Sequence, residues 1–147
     1  MAPETMFWLR RLRIYFAVVA LGNLAWETLQ LPLYTIWTTG TLGQQAFAVV
    51  HCTGGDMLIA LAALAFALIL VGERGFWPVA ALAIAFGLAY TGFSEWLNVY
   101  VRGSWAYSQR MPVLTLGVYK LGLSPILQWI VVPSVALWAA GRRLTLR

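Results

Sequence analysis

The fold class of this chain is decided by residues 46–71, which read AFAVVHCTGGDMLIALAALAFALILV. A helix over this stretch is long enough to cross the roughly 30 Å hydrocarbon core of a bilayer. Three more stretches have the same character: 14–37, 76–101, and a last one that begins between 113 and 122 and ends near 140. Helices are expected because four strands cannot close a barrel, and an open sheet edge is not viable in lipid. Since the connections are short, the sequence predicts an all-α integral membrane protein with an up-down four-helix transmembrane bundle.

The overall composition agrees with lipid as the solvent. The chain has 147 residues, of which 61% are hydrophobic and 10% charged, and its mean hydropathy is +0.77. Soluble domains carry roughly a quarter charged residues. The length suits one unit, so residues 1–147 are predicted to form a single transmembrane domain.

The distribution of basic residues predicts orientation. The net charge is +5, but the basic residues gather at helix ends, which is typical of topology signals, so we expect no nucleic-acid partner. On one side of the predicted bundle lie Arg10, Arg11, Arg13, Arg74, Arg142, Arg143 and Arg147, and on the other only Arg102 and Arg110. The positive-inside rule then places both termini in the cytoplasm. The first apolar stretch lacks a cleavage site and is expected to be retained, in a bacterial-type inner membrane.

Tryptophans support the same spans. Five of them fall near predicted helix ends, as an aromatic belt requires: Trp8, Trp37, Trp77, Trp105 and Trp138. Tyr107 and Trp105 of the third loop are therefore interpreted first as belt residues.

Polar residues fall on one face of the first and third helices. Each face spans roughly 100° of the helix circumference, and the remaining positions are mostly aliphatic. The first face carries Asn23, Trp26, Glu27, Gln30 and Tyr34, and the second carries Thr91, Ser94, Glu95, Asn98 and Arg102. Such faces are typical of surfaces that contact protein or water and not lipid.

The second helix contributes the motif HCTGGD, residues 51–56. Cys52 and Asp56 are one turn apart and share a face, whereas His51 is about 140° away from Asp56. The glycine pair between them favours a kink or a close helix approach. Cys52 is the only cysteine, so no intrachain disulfide is predicted.

The fourth helix is predicted to present Lys120, Ser124 and Gln128 at i, i+4 and i+8. Pro125 and Pro133 are expected to interrupt its backbone hydrogen bonds. Counting from the helix ends, all four helices place polar groups in one layer, near the extracytoplasmic side. The other half reads ALAALAFALIL and PVAALAIAF, which predicts a pocket open outward or sideways above an apolar plug.

Carboxyl groups in mid-bilayer favour a functional interpretation. A charged residue there costs about 3 kcal/mol or more, while hydrogen bonds that merely join helices contribute about 1 kcal/mol. We assign function to Glu27, Asp56 and Glu95, with His51 as a fourth candidate. The amides Asn23, Gln30, Asn98 and Gln128 suit helix association equally well.

The favoured hypothesis is acid–base chemistry on, or binding of, an isoprenoid, sterol or other lipid, as in an isomerase or cyclase. Carboxyls in a low-dielectric pocket are expected to keep a proton at neutral pH, as a general acid requires. The predicted catalytic residues are Glu27, Glu95, Asp56 and His51. The predicted ligand-binding residues are Asn23, Trp26, Gln30, Tyr34, Thr91, Ser94, Trp96, Asn98, Ser124, Gln128 and Trp129, whose aromatic rings suit a developing carbocation. In architecture alone the picture is similar to the four-helix sterol-isomerase and sigma-2 class, and no family is assigned on that basis.

Two other classes stay open. One is an ion- or proton-coupled transporter or channel module, which with four helices would work as a homo-oligomer. The other is a non-catalytic subunit with a partner in a larger membrane complex. Metal binding is disfavoured because no HxxxH, ExxH or CxxC spacing occurs. No cofactor is predicted.

Overall fold

The computed structural model describes residues 3–72 and 75–142, with side chains from 9 to 141 of that range. Five helices occur there: α1 (Pro3–Gln30), α2 (Ile36–Thr39), α3 (Leu42–Val71), α4 (Phe76–Trp96) and α5 (Leu123–Arg142). Two strands, β1 (Val113–Leu116) and β2 (Tyr119–Gly122), pair antiparallel. Four helical segments are long and apolar enough to cross a membrane: Leu9–Leu33, Leu42–Val71, Phe76–Val101 and Leu123–Gly141. The predicted multi-pass membrane protein is confirmed at this level.

The first helix ends earlier than its predicted boundary of 37. α1 stops at Gln30 and passes into a 3₁₀ turn, Leu31–Leu33, which contains Pro32. Proline has no N–H to continue the α-helical ladder, and its ring clashes with the preceding turn. Tyr34 therefore lies beyond the helix and not on its polar face. The next long helix begins at Leu42, where Thr41 and Gln44 form a capping box.

The start of the fourth helix, which the sequence leaves open between 113 and 122, lies at Leu123. Residues 113–122 form a β-hairpin and not a helical turn. Leu116 pairs with Tyr119, so Gly117 and Val118 make a two-residue loop, with Gly117 at a φ of 61°. Glycine at the first loop position is typical of type II′ hairpins. Lys120 consequently lies on a strand, and it does not share a helical face with Ser124 and Gln128.

The two prolines of α5 differ in effect. Pro125 is the third residue of the helix, where a backbone N–H has no intrahelical partner in any case. The predicted interruption there is wrong. Pro133 does lie inside the helix.

The half of the bundle away from the hairpin is closely packed. We call it the packed half, and it comprises residues 12–19, 60–71, 76–84 and 132–141. α1 packs against α3 and α5, and α4 packs against the same two helices. Small side chains let the backbones approach each other, and the buried cluster contains mostly alanine and aliphatic residues: Tyr15, Val19, Ala60, Leu64, Ala67, Val79, Ala80, Ala83, Trp129, Ala136, Leu137 and Ala140.

Candidate functional site

The other half, which we call the polar half, encloses a cavity of about 1030 Å³. It is formed by the C-terminal parts of α1 and α4 and the N-terminal parts of α3 and α5. Most of the predicted site residues line it: Glu27, Gln30, Tyr34, His51, Asp56, Thr91, Ser94, Glu95, Asn98, Gln128 and Trp129. The volume is at the upper end of the usual range for small-molecule sites, roughly 300–1,000 Å³.

Four predicted ligand-binding residues lie outside the cavity lining. Three of them support it from behind: the Trp26 indole N–H donates to Ser124 Oγ at 3.1 Å, and Asn23 accepts from Gln128 at 3.0 Å. Ser124 Oγ in turn donates to Gln30 Oε1 at 2.7 Å. Trp96, the fourth residue, neither lines the cavity nor makes one of these hydrogen bonds. Its ring packs against Phe93, with centroids 6.0 Å apart.

Gln128 is the centre of the polar network and is only 2% exposed. Its Nε2 lies 2.9 Å from Glu27 Oε1, 2.9 Å from Asp56 Oδ2 and 3.0 Å from Asn23 Oδ1. Its Oε1 accepts from Gln30 Nε2 at 3.2 Å. Gln30 Nε2 also donates to Glu27 Oε1 at 2.8 Å, so the two amides together offer four hydrogens to the four acceptors of this network.

Trp129 forms the floor of the cavity. Its indole N–H donates to Asp56 Oδ1 at 3.3 Å, which fixes both side chains. The ring lies against Gly87 of α4, where an added Cβ would come within 2.1 Å of Trp129 Cε3. Only glycine leaves room for the indole at this crossing. The packed half begins directly beneath it.

Glu95 is held by a residue that the sequence interpretation assigned to the aromatic belt. The Tyr107 hydroxyl donates to Glu95 Oε2 in a short hydrogen bond and accepts from the Gly122 N–H at 2.9 Å. Burial, and then the hydrogen bond to Glu95, raises the pKa of Tyr107, so it remains a donor. Nothing in helical periodicity points to Tyr107, because it lies in a loop.

Asn98 lies where α4 changes its geometry. Residues Leu97–Val101 form a π-helical turn, and the Asn98 amide donates to Ser94 O at 2.9 Å. Single π turns frequently occur at functional sites. This turn carries the last cavity-lining residues of the helix into the third loop.

His51 lies on the exposed side of the cavity. Its ring stacks on Phe47, with centroids 5.3 Å apart and planes at 16°. Within the described part of the chain no hydrogen bond joins His51 to Asp56, Glu27 or Glu95. Cys52, one residue further along α3, also lines the cavity.

Two loops close the end of the polar half. We call them the roof loops, residues 31–40 and 102–108. The Thr35 N–H donates to Ala106 O at 3.0 Å, and the Ser108 N–H donates to Leu33 O at 2.9 Å. Burial raises the pKa of Tyr34, which is enclosed beneath them, well above its ordinary value. Trp105 and Arg102 also line the cavity, so Trp105 is more than a belt residue.

Lys120 takes no part in the site. It lies on β2, where its backbone exchanges hydrogen bonds with the Tyr100 hydroxyl. Arg110 is likewise absent from the cavity lining, and Arg74, Arg143 and Arg147 of the orientation argument lie outside the described residues.

The residues with described coordinates contain no group of three or more His, Cys, Asp or Glu side chains that could hold a metal ion. The acids are instead surrounded by neutral donors, namely amides, an indole and a phenol.

Comparison with known proteins identifies no relative: no family model, curated protein or solved structure matches this chain.

Proposed function

We propose that this protein binds an isoprenoid, sterol or other lipid in the cavity of the polar half and carries out acid–base chemistry on it. The observation that carries the proposal is the presence of three carboxyl side chains, Glu27, Asp56 and Glu95, in the lining of one cavity. None of them pairs with a basic side chain within the described ranges. Carboxyls used only to join helices would not need to line a cavity of this size.

The network around Gln128 supports a proton on the Glu27–Asp56 pair. Gln128 Nε2 lies 2.9 Å from an oxygen of each acid, which brings the two carboxyls close together. Two carboxyls this close do not both ionise in an apolar surrounding, so one of them keeps a proton. Two carboxyls that share a site and a proton are a recurring acid–base arrangement.

This pair is suited to shifting a carbon–carbon double bond. The protonated carboxyl adds its proton to one alkene carbon, which leaves a carbocation on the neighbouring carbon. A carboxylate then removes a proton from the next carbon, and the electrons of that C–H bond form the new double bond. The enzyme ends with the same number of protons. The faces of Trp129 and Tyr34 would stabilise the positive charge in between.

The proposed topology is an up-down bundle with both termini in the cytoplasm. The arginine distribution supports it, together with the exposed tryptophans near two helix ends, Trp77 and Trp138. The polar half and its roof loops then lie toward the extracytoplasmic side of a bacterial-type inner membrane.

The packed half supports this proposal over an ion-coupled transporter. A proton or cation path across the membrane would have to pass through the buried cluster of this half, whose members carry only the Tyr15 hydroxyl and the Trp129 indole N–H as polar side-chain groups. Membership of a larger complex is compatible with the cavity and would appear as a copurifying subunit.

The test is native mass spectrometry with organic extraction of gently solubilised protein, applied to Glu27→Gln and to Thr28→Val. Thr28 is the neighbouring residue, is exposed, and bonds only to Leu24 O among the hydrogen bonds of the described chain. We expect a bound lipid with wild type and Thr28→Val, and its loss from a normally assembled Glu27→Gln variant. Loss of assembly in Glu27→Gln, or unchanged lipid in it, would favour a purely structural role for the carboxyl.

A further inference from the structure

We infer that the ligand is a lipid alcohol, admitted from the bilayer between α3 and α4, whose hydroxyl binds near Thr91, Glu95 and Trp105. This inference rests on the proposed function and specifies its substrate class and its entrance. Its first basis is a pair of polar atoms without partners. Its second is the side of the cavity that faces lipid.

Among the described residues, two cavity-lining side chains have a buried polar atom without a hydrogen-bond partner. Thr91 Oγ1 and Trp105 Nε1 are buried atoms that bond to nothing within the described chain, and Thr91 as a whole is only 5% exposed. Leaving a buried donor or acceptor unsatisfied is costly. The two atoms themselves have almost no accessible surface. Both residues line the cavity, and a rotation of each side chain would bring its polar atom to a ligand there.

The acceptor needed to complete this set is Glu95. It lies one turn after Thr91 on the same face of α4. Tyr107 occupies one of its carboxyl oxygens, and the other has no hydrogen-bond partner in the described part of the chain. Trp105 is two residues from Tyr107 in the roof loop.

A hydroxyl group suits these three side chains because it both donates and accepts hydrogen bonds. It donates one hydrogen and accepts two, so it can donate to Glu95 while it accepts from the Trp105 indole and the Thr91 hydroxyl. A primary ammonium group has no acceptor for Trp105. A phosphate or carboxylate would face Glu27, Asp56 and Glu95, with Arg102 as the only arginine in the lining.

The entrance is inferred from residues that line the cavity and are also exposed on the bundle's outer surface. Leu58 of α3 is 68% exposed and Tyr90 of α4 is 50% exposed. No side-chain hydrogen bond joins α3 to α4 within the described residues. The roof loops are hydrogen-bonded to each other at the water-facing end, so we place the lipid entrance at this seam.

Two adjacent glycines of α3 provide a matched pair of variants. An added Cβ at Gly54 or at Gly55 would meet no atom within 4 Å, so neither substitution should disturb the fold. Gly55 lines the cavity, whereas Gly54 is exposed and does not. Leucine at 55 therefore projects into the site, and leucine at 54 projects into lipid.

The binding experiment uses the full-length protein in nanodiscs with four probes: geranylgeraniol, cholesterol, geranylgeranylamine and geranylgeranyl phosphate. We expect at least one alcohol to bind more than about tenfold tighter than the amine and the phosphate. Gly55→Leu should lower the affinity for that alcohol about tenfold or more, while Gly54→Leu leaves the affinity unchanged. Thr91→Val should lower it about threefold to tenfold.

Access is tested by labelling a cysteine at Leu58 or at Leu61, in a Cys52→Ala background, with pyrene maleimide. Both residues are exposed on α3, and only Leu58 lines the cavity. We expect the label at 58 to slow association of the alcohol about tenfold and the label at 61 to leave it unchanged. Equal rates would overturn lateral entry.

The outcomes separate the two proposals. Tightest binding of the phosphate or the amine, still lost in Glu27→Gln, would overturn the alcohol assignment and leave the proposed function standing. Equal affinities of Gly55→Leu and Gly54→Leu for the alcohol would also overturn the alcohol assignment and leave the proposed function standing. If wild type binds none of the four probes, both proposals fail.

Discussion

The two halves of this bundle achieve cohesion by different means. In the packed half, alanines such as Ala67 and Ala136, both 0% exposed, let helices touch through small apolar surfaces. In the polar half, the helices enclose a cavity and are joined through the amides and carboxyls around Gln128. Close packing and the candidate site are thus separated along the bundle axis, an arrangement that supports the site on rigid elements.

A substitution at the junction between the two halves should cause the largest loss of stability. Gly87→Ala would place a Cβ 2.1 Å from Trp129 Cε3, so the indole or α4 must move. We expect a loss of roughly 3 kcal/mol in the free energy of unfolding, because overpacking of a tight core is costly. Thermal unfolding in a fixed detergent would measure it.

The matched control is Gly92→Ala on the same helix, where an added Cβ meets nothing within 4 Å. It should leave stability unchanged or raise it by up to about 1 kcal/mol through helix propensity. Equal behaviour of the two variants would mean that the Gly87–Trp129 contact does not determine the packing.

Breaking the network should have an intermediate effect. Gln128→Leu leaves Glu27, Asp56 and Asn23 without their shared donor, so we expect a loss of roughly 2 kcal/mol and no ligand binding. Leu127→Ala, at the adjacent and half-exposed position, should cost less and retain binding. If Gln128→Leu unfolds like wild type, hydrogen bonds do not hold the polar half together.

The smallest expected loss of stability comes from a substitution in the roof loops. Tyr107→Phe removes the donor to Glu95 and the acceptor for the Gly122 N–H, which should cost about 1 kcal/mol near neutral pH. Burial, followed by the bond to Glu95, raises the pKa of Tyr107 above its ordinary value of 10.0. Its contribution is therefore fully present below about pH 10 and is lost as pH rises further.

From pH 8 to pH 11, the free energy of unfolding should thus fall more steeply for wild type than for Tyr107→Phe. Tyr34 is alkali-sensitive in both proteins, and the difference between the two curves reports Tyr107 together with its smaller effect on the pKa of Tyr34. Parallel curves would contradict a buried phenol at this position.

The membrane-spanning helices could be predicted because each is a long apolar run, and lipid permits few alternatives. The predicted ends of these helices agree less well with the observed ones. Pro32 was a visible stop signal inside the predicted first span, yet hydropathy continues past it. The hairpin was missed for a similar reason: 113–122 is apolar enough to extend a helix, and only Gly117 with its β-branched and aromatic neighbours indicates a turn.

The site was only partly accessible from sequence. Helical periodicity groups Glu27 with Gln30 and Thr91 with Glu95, because residues on one helix have a fixed angular relation. It cannot show that Gln128 connects α1, α3 and α5, which depends on tertiary packing. Tyr107 and Trp105 lie in a loop, where no period applies, so their contacts with the cavity become visible only in three dimensions.

Cys52 provides the chain with a built-in chemical reporter. It is the sole cysteine, and it lines the cavity one turn from Asp56. Any thiol-specific reagent that reaches the cavity therefore modifies a single known atom of this chain, and a ligand that covers Cys52 should slow its alkylation. Occupancy by an unidentified native ligand can be followed in this way without a substitution in the chain.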